Sequence, residues 1–164
     1  APAGREALAK ALALARRAIG LDPANPDLHL ALARLYAAAD GDLARADAQL
    51  QLALAAHPAS APLRHEAALL YLLDGRKASA LREAATLARI DDSYLIAGSA
   101  RKTSQIERRA PAYLARLKAS YLFKALEIAW RASGDIDLVK RMAPPDDDAQ
   151  AVVALFLEWQ GLER

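Results

Sequence analysis

Two stretches of this chain repeat each other at an interval of 34 to 35 residues, and no other feature constrains the fold as much. Tyr36 and Tyr71 stand 35 residues apart, as do Pro23 and Pro58, while Gly41 and Gly75, like Ala46 and Ala80, stand 34 apart. The one-residue discrepancy is explained if the Asp40-Gly41-Asp42 turn carries one residue more than Leu73-Asp74-Gly75. In the first unit Leu28, Leu32, Leu35 and Tyr36 recur at spacings of three and four, which puts them on one face of a helix. Asp40-Gly41-Asp42 interrupts that pattern, and a glycine there tolerates the left-handed backbone that ends many helices. Leu43, Ala46, Leu50, Ala53 and Leu54 then form a second apolar stripe, which Pro58 cannot continue. The second unit, from about residue 59 to 91, follows the same plan. Two helices per unit at this period are the mark of a helical repeat whose units bury their apolar stripes against one another.

These residues resemble the tetratricopeptide-repeat (TPR) family, which carries a large then a small residue and Tyr in its first helix. Gly follows at the turn, then Ala, an apolar residue and Ala in the second helix, and a closing Pro. The first unit matches with Leu32, Ala33, Tyr36, Gly41, Ala46, Leu50, Ala53 and Pro58, and the second with Ala67, Ala68, Tyr71, Gly75, Ala80, Ala84 and Leu87. The second unit departs at Arg64, where the family often has an aromatic residue, and at Asp92, where Pro is expected. The resemblance implies an all-α fold, a right-handed superhelix of antiparallel helix pairs with an irregular helical C-terminal part. Ala11, Ala18 and Pro23 hold the positions of Ala46, Ala53 and Pro58, so residues 3–23 read as the second half of a repeat. The expected organisation is an array over 1–92 (half repeat 3–23, repeats 24–58 and 59–92) with a C-terminal helical cap over 93–164 packed on it. A second helix without its first leads to the expectation of a fragment of a larger protein, or of a cap whose partner helix was lost.

Composition agrees with an α-helical scaffold. Alanine is abundant, and small side chains let helices approach closely while favouring helix formation. The chain is 164 residues long, enough for one domain with a core, and its net charge of +2 points to no partner by itself. The absence of cysteine excludes disulfides, thiolate metal sites and a cysteine nucleophile. No apolar run approaches the length needed to span a bilayer.

Beyond the repeats, Asp91-Asp92-Ser93 reads as a set of caps for a helix starting at Tyr94-Leu95-Ile96. Residues 98–110 read as a polar, basic loop or frayed helix. Ser93-Tyr94-Leu95 recurs as Ser120-Tyr121-Leu122, either by coincidence or because the intervening segment is an insertion into a repeat-like helix. Pro111 suits a first helical turn, and the stripe Tyr113, Leu114, Leu117, Tyr121, Leu122, Leu126 and Ala129 predicts one helix running to about Ser133. Gly134 and Asp135 close it and begin a short helix to Met142; Pro144-Pro145 ends that, and Asp146 to Asp148 favour the N-terminus of a last helix that stops at Gly161. Phe156 and Trp159 on that helix form a bulky apolar face expected to be buried.

From Tyr121 to Gly161 the chain also resembles the irregular C-terminal part of bacterial tetratricopeptide proteins associated with envelope-polysaccharide ligation. The matching residues are Trp130, Gly134-Asp135, Pro145-Asp146 and Phe156-Leu157-Glu158-Trp159-Gln160-Gly161. That resemblance implies a bacterial protein of the cytoplasm or periplasm, with the periplasm favoured.

No constellation for catalysis stands out. There is no G-x-S-x-G elbow and no glycine-rich phosphate loop. His29, His57 and His65 lack the spacing of zinc ligands, and Asp40/Asp42 and Asp146–Asp148 read as caps rather than as a calcium loop. The expectation is a protein that is no enzyme and holds no metal and no cofactor. By the family's register, the concave groove would be lined by Leu30, Arg34, Ala37, His65, Leu69, Leu72 and Leu73, a mainly apolar strip suited to a peptide with apolar anchors. The chain's own C-terminal helices could equally cover it. A second candidate is the basic patch of Arg101, Lys102, Arg108 and Arg109, since residues 99–141 hold ten Lys/Arg against four acids. Three functions follow as expectations. The first is an interaction scaffold for a protein or peptide. The second is the soluble part of a larger membrane-bound envelope-glycan assembly or transferase, any membrane contact coming through the rest of that protein. The third is an anion or nucleic-acid binder through 101–141, against which the lack of interleaved aromatics counts.

Overall fold

The computed structural model describes residues 2–39, 41–94 and 111–162. Among these it contains nine helices and no strand: α1 (Pro2–Leu21), α2 (Pro26–Ala39), α3 (Leu43–Ala56), α4 (Ala61–Leu73), α5 (Lys77–Ile90), α6 (Pro111–Ala119), α7 (Tyr121–Ser133), α8 (Ile136–Met142) and α9 (Asp147–Gln160). The all-α expectation holds.

Local chemistry explains where the helices stop and start. Asp42, Ser60, Ser120, Asp135 and Asp146 are N-caps whose side chains accept the backbone N–H three residues on. Gly41 and Gly75 close α2 and α4 with φ of 62° and 72°. The two turns carry the same hydrogen bond: Asp42 N–H donates to the Tyr36 carbonyl (3.3 Å) and Arg76 N–H to the Tyr71 carbonyl (2.8 Å). The first spans six residues and the second five, so the extra residue lies in the first turn. A methyl group on either glycine would meet nothing within 4 Å. Gly75→Ala is therefore expected to lose only the backbone term, about 1–2 kcal/mol, in a urea denaturation series.

The helices pack in chain order. α1 lies on α2, α2 pairs with α3, α3 contacts α4, and α4 pairs with α5. Alanines sit at the closest approaches: Ala46, Ala53, Ala67, Ala68, Ala80, Ala84 and Ala88 are all fully buried. Leu50 and Leu87 fill the space between them.

The two hairpins share a polar signature as well. In the first, His29 Nε2 donates to the Pro23 carbonyl (2.9 Å) and Nδ1 meets the Gln49 carboxamide (2.8 Å). In the second, the Arg64 guanidinium donates to the Pro58 carbonyl (2.8 and 3.0 Å) and to the Glu83 carboxylate (2.6 Å). His29 and Arg64, like Pro23 and Pro58, are 35 residues apart, and Gln49 and Glu83 are 34 apart. One geometric role is thus filled by a histidine–glutamine pair in one unit and an arginine–glutamate ion pair in the next.

Tyr36 and Tyr71 are also equivalent. Each hydroxyl accepts from a side chain on the preceding helix twenty residues earlier, Arg16 for Tyr36 (3.2 Å) and Gln51 for Tyr71. α1 therefore stands to α2 as α3 stands to α4.

The C-terminal part differs from the sequence reading in three ways. The helix predicted from Pro111 to Ser133 is two helices, because Ser120 breaks it. Its Oγ donates to the Leu117 carbonyl (2.7 Å) and accepts from Phe123 N–H (3.2 Å), closing α6 and opening α7. The helix read from Tyr94-Leu95-Ile96 falls, beyond Tyr94, outside the described residues, but Asp91 makes a tie that the sequence reading did not contain. Its carboxylate accepts from Ser93 N–H (3.0 Å) and, across 31 residues of sequence, from Leu122 N–H at the start of α7 (2.7 Å). Finally, Trp159 is 51% exposed while Phe156 is fully buried. The helical face of α9 buries Ala149, Val152, Val153, Phe156 and Leu157 against α7 and α6, which leaves Trp159 at its edge.

α7 packs on both α4 and α5. α8 follows it, and α6 and α9 close the far side. Tyr94 adds a tie from the end of the repeats to this part, its hydroxyl donating to the Asp146 carboxylate (3.1 Å). Burial, and then the Asp146 charge, push that phenol up to about 12.

Candidate functional site

Among the described residues, the most sharply defined apolar concavity lies between α2 and α4. It is a cavity of about 150 Å³ walled by Leu30, Ala33 and Ala37 of α2, Leu50 of α3, and Leu69, Leu70 and Leu73 of α4. Its rim carries Arg34 and Glu66. The walls come from the faces of first helices that do not pack on their own second helices. They diverge because the small residues Ala33 and Ala37 stand opposite leucines, leaving a gap that no side chain fills.

Of the groove residues read from the sequence, Leu30, Arg34, Ala37, Leu69 and Leu73 line this cavity. Leu30 is buried at its floor, whereas Leu73 is 73% exposed at its mouth. His65 and Leu72 lie outside it. His65 instead meets Tyr121 of α7 edge-on, ring centres 5.9 Å apart. The C-terminal part thus covers the His65 end of the α4 face, while α9 packs elsewhere and leaves the cavity open. Arg101, Lys102, Arg108 and Arg109, and the loop read over 98–110, lie outside the described residues.

Arg34 and Glu66 form an ion pair of 2.6 Å from α2 to α4, with the Arg34 side chain 59% exposed. A pair this exposed adds little stability. Its hydrogen bond to Glu66 raises the Arg34 pKa, keeping the guanidinium charged. Only one of its nitrogens bonds Glu66, so donors remain for a second acceptor. Sequence reasoning missed Glu66 because its partner is 32 residues away and its repeat counterpart is Ala31, which carries no charge.

The electrostatics around His65 are mixed. Burial, then the nearby Lys124 ammonium, lower its pKa below the ordinary 6.5, with Glu66 and Glu127 opposing. The unfolded chain therefore takes up this proton at a higher pH than the folded one. The contribution is fully present above the ordinary value and is lost as pH falls below it, until the folded group also titrates. Chemical-denaturation stability should decline from pH 7 toward pH 5.5, and His65→Gln should flatten that slope.

A second polar cluster links the units. Asp47 accepts from the Tyr71 hydroxyl (2.9 Å) and from Arg76 (2.9 Å), whose guanidinium lies 4.3 Å from the Tyr71 ring centre. Burial alone would raise Asp47, but hydrogen bonds from Arg76, Tyr71 and Gln51 hold it below its usual range. Burial, then the Asp47 hydrogen bond, push Tyr71 up to about 12. Each of these groups has a structural partner, so the cluster ties α3 to α4 rather than presenting a reactive atom.

No group of three His, Asp or Glu side chains is placed to hold a metal among the described residues, and no described helix is long and apolar enough to cross a membrane. Comparison with known protein families, with curated proteins and with solved structures returns no match.

Proposed function

We propose that this chain is a non-enzymatic interaction scaffold of the tetratricopeptide type, which holds a peptide segment of a partner protein in the groove between α2 and α4. The observation that carries the reading is the apolar cavity of about 150 Å³ between equivalent helices of neighbouring units, rimmed by Arg34 and Glu66. A leucine-lined cavity of that size admits a group about as large as a benzene ring. The natural ligand is therefore a segment offering one leucine- or phenylalanine-sized anchor, with polar groups placed to meet the rim. Leu73 and Arg34 are exposed enough to be reached first, and Leu30 and Leu50 form the floor on which the anchor comes to rest.

A random-peptide selection on the protein should return sequences with one such anchor. Their affinity should fall at least tenfold when Leu69→Glu is combined with Arg34→Glu, a variant whose circular-dichroism spectrum must remain helical. Binding that survives the double substitution removes the groove from consideration.

A further inference from the structure

A second depression, of about 350 Å³, lies on a different face of the molecule between α5 and α8. Its floor is Leu81 and Ala85 of α5 with Leu138 and Met142 of α8, and Arg82 and Arg141 flank it. From these residues we infer a docking surface for an acidic amphipathic peptide segment, independent of the α2–α4 groove.

The charge pattern argues for an acidic partner. Four other arginines are matched with acids: Arg34 with Glu66, Arg45 with Asp42, Arg64 with Glu83, and Arg76 with Asp47 and Asp74. Arg82 and Arg141 are exposed and make no ion pair among the described residues. Arg82 spends one nitrogen on the Ser79 hydroxyl (2.9 Å), which anchors it along α5 and leaves its other donors open. Arg89, two turns further along α5, and Lys140, beside Arg141, are exposed and extend the positive field. Of the acids on the same two helices, Glu83 is committed to Arg64, and Asp137, one turn before Arg141, offsets part of the field without forming an ion pair with Arg141. Two guanidiniums on either side of an apolar trough suit carboxylates spaced around an apolar side chain.

The shape argues for a peptide rather than a membrane or a nucleic acid. Leu81, Leu138 and Met142 are half-buried and form a small apolar floor between Arg82 and Arg141, too small to anchor a membrane by burial alone. A nucleic acid would need stacking rings, and none lines the trough, whose floor would desolvate nothing useful on a phosphate backbone. Methionine and leucine side chains can repack around an inserted apolar anchor.

The test uses the whole chain. A random 16-residue peptide library is selected on the wild-type protein with depletion on the Arg82→Glu/Arg141→Glu variant, after circular dichroism shows that variant folded. The expected winners carry Asp or Glu flanking Leu, Phe or Met. In fluorescence anisotropy they should bind at least tenfold more weakly to Arg82→Glu/Arg141→Glu and more weakly at high salt. They should bind Leu69→Glu/Arg34→Glu as they bind wild type, so this result stands or falls apart from the α2–α4 groove. Should the charge reversal fail to fold, Arg82→Ala/Arg141→Ala replaces it. The inference is overturned if no acidic consensus emerges, if the winners ignore the Arg82 and Arg141 substitutions, if they are lost with Leu69→Glu/Arg34→Glu, or if phosphatidylglycerol vesicles bind in an Arg82- and Arg141-dependent way while no peptide does.

Discussion

Replacing Phe156 by alanine is expected to lower the unfolding free energy by about 3–5 kcal/mol, the largest effect of any single change considered for this chain. The ring is fully buried in the face of α9 that packs on α7. It meets Phe123 nearly edge to face, with ring centres 5.5 Å apart and planes at 73°. Truncation removes the transfer energy of the ring and leaves a cavity that the surrounding helices close only in part. Val152 and Val153 on the same helix are β-branched and stiff, which limits relaxation into the gap. The control is Trp159→Ala, three residues along the same helix. Although its ring lies 5.5 Å from Phe123, half of its surface is already in water, so the loss should be less than half as large. Urea titrations followed by far-ultraviolet circular dichroism separate the two. Equal effects would mean that α9 does not sit on α7 by its Phe156 face.

Asp91→Ala is expected to cost about 2–3 kcal/mol and to loosen α7 from the end of α5. The Asp91 side chain is buried, and each of its oxygens has a backbone donor, Ser93 N–H at 3.0 Å and Leu122 N–H at 2.7 Å. The second is one of the N–H groups at the start of α7 that no carbonyl of its own helix can satisfy. Ser120 satisfies the next one, so the helix start is held by one cap from within and one from 31 residues upstream. Without the carboxylate the Leu122 N–H remains buried and unpaired, which is more costly than the loss of an exposed bond. The negative charge also favours the helix N-terminus, so Asp91→Asn should recover only part of the loss. Amide hydrogen exchange gives the local readout. Leu122 should exchange far faster in Asp91→Ala, while the amides of α2 and α3 should change only with global stability.

The repeat was legible because its signals are local. Tyr36 and Tyr71, Gly41 and Gly75, and the alanines that follow recur at a spacing that chain connectivity alone sets. The turn glycines could be read because a positive φ narrows the choice of residue. The groove was half legible. Leu30, Arg34, Ala37, Leu69 and Leu73 follow from the register that the family resemblance implies, but Glu66 does not, since the contact it makes joins two units and its counterpart in the first is uncharged. His65 shows the opposite failure. Its helix face was read as either open or covered by the C-terminal helices, and α7, more than fifty residues downstream, meets it through Tyr121.

The C-terminal part shows the same division more sharply. Its turn chemistry was readable: Gly134, Asp135, Asp146 and Gly161 end and begin helices where their residue types require. Ser120 was not read as a break, because the apolar stripe runs through it without a change of phase, and only the two bonds of its hydroxyl divide α6 from α7.

The amino-acid order by itself therefore determined the helices, their turns and the two-unit periodicity, since each depends on interactions within one or two helical turns. What the tertiary structure alone decided is that α7 packs on α4 and α5, with its start held by the Asp91 carboxylate. That choice rests on burying the apolar face of α7 against α4 and α5 and on giving a buried N–H its acceptor, and both are contacts between segments that nothing in the local sequence brings together.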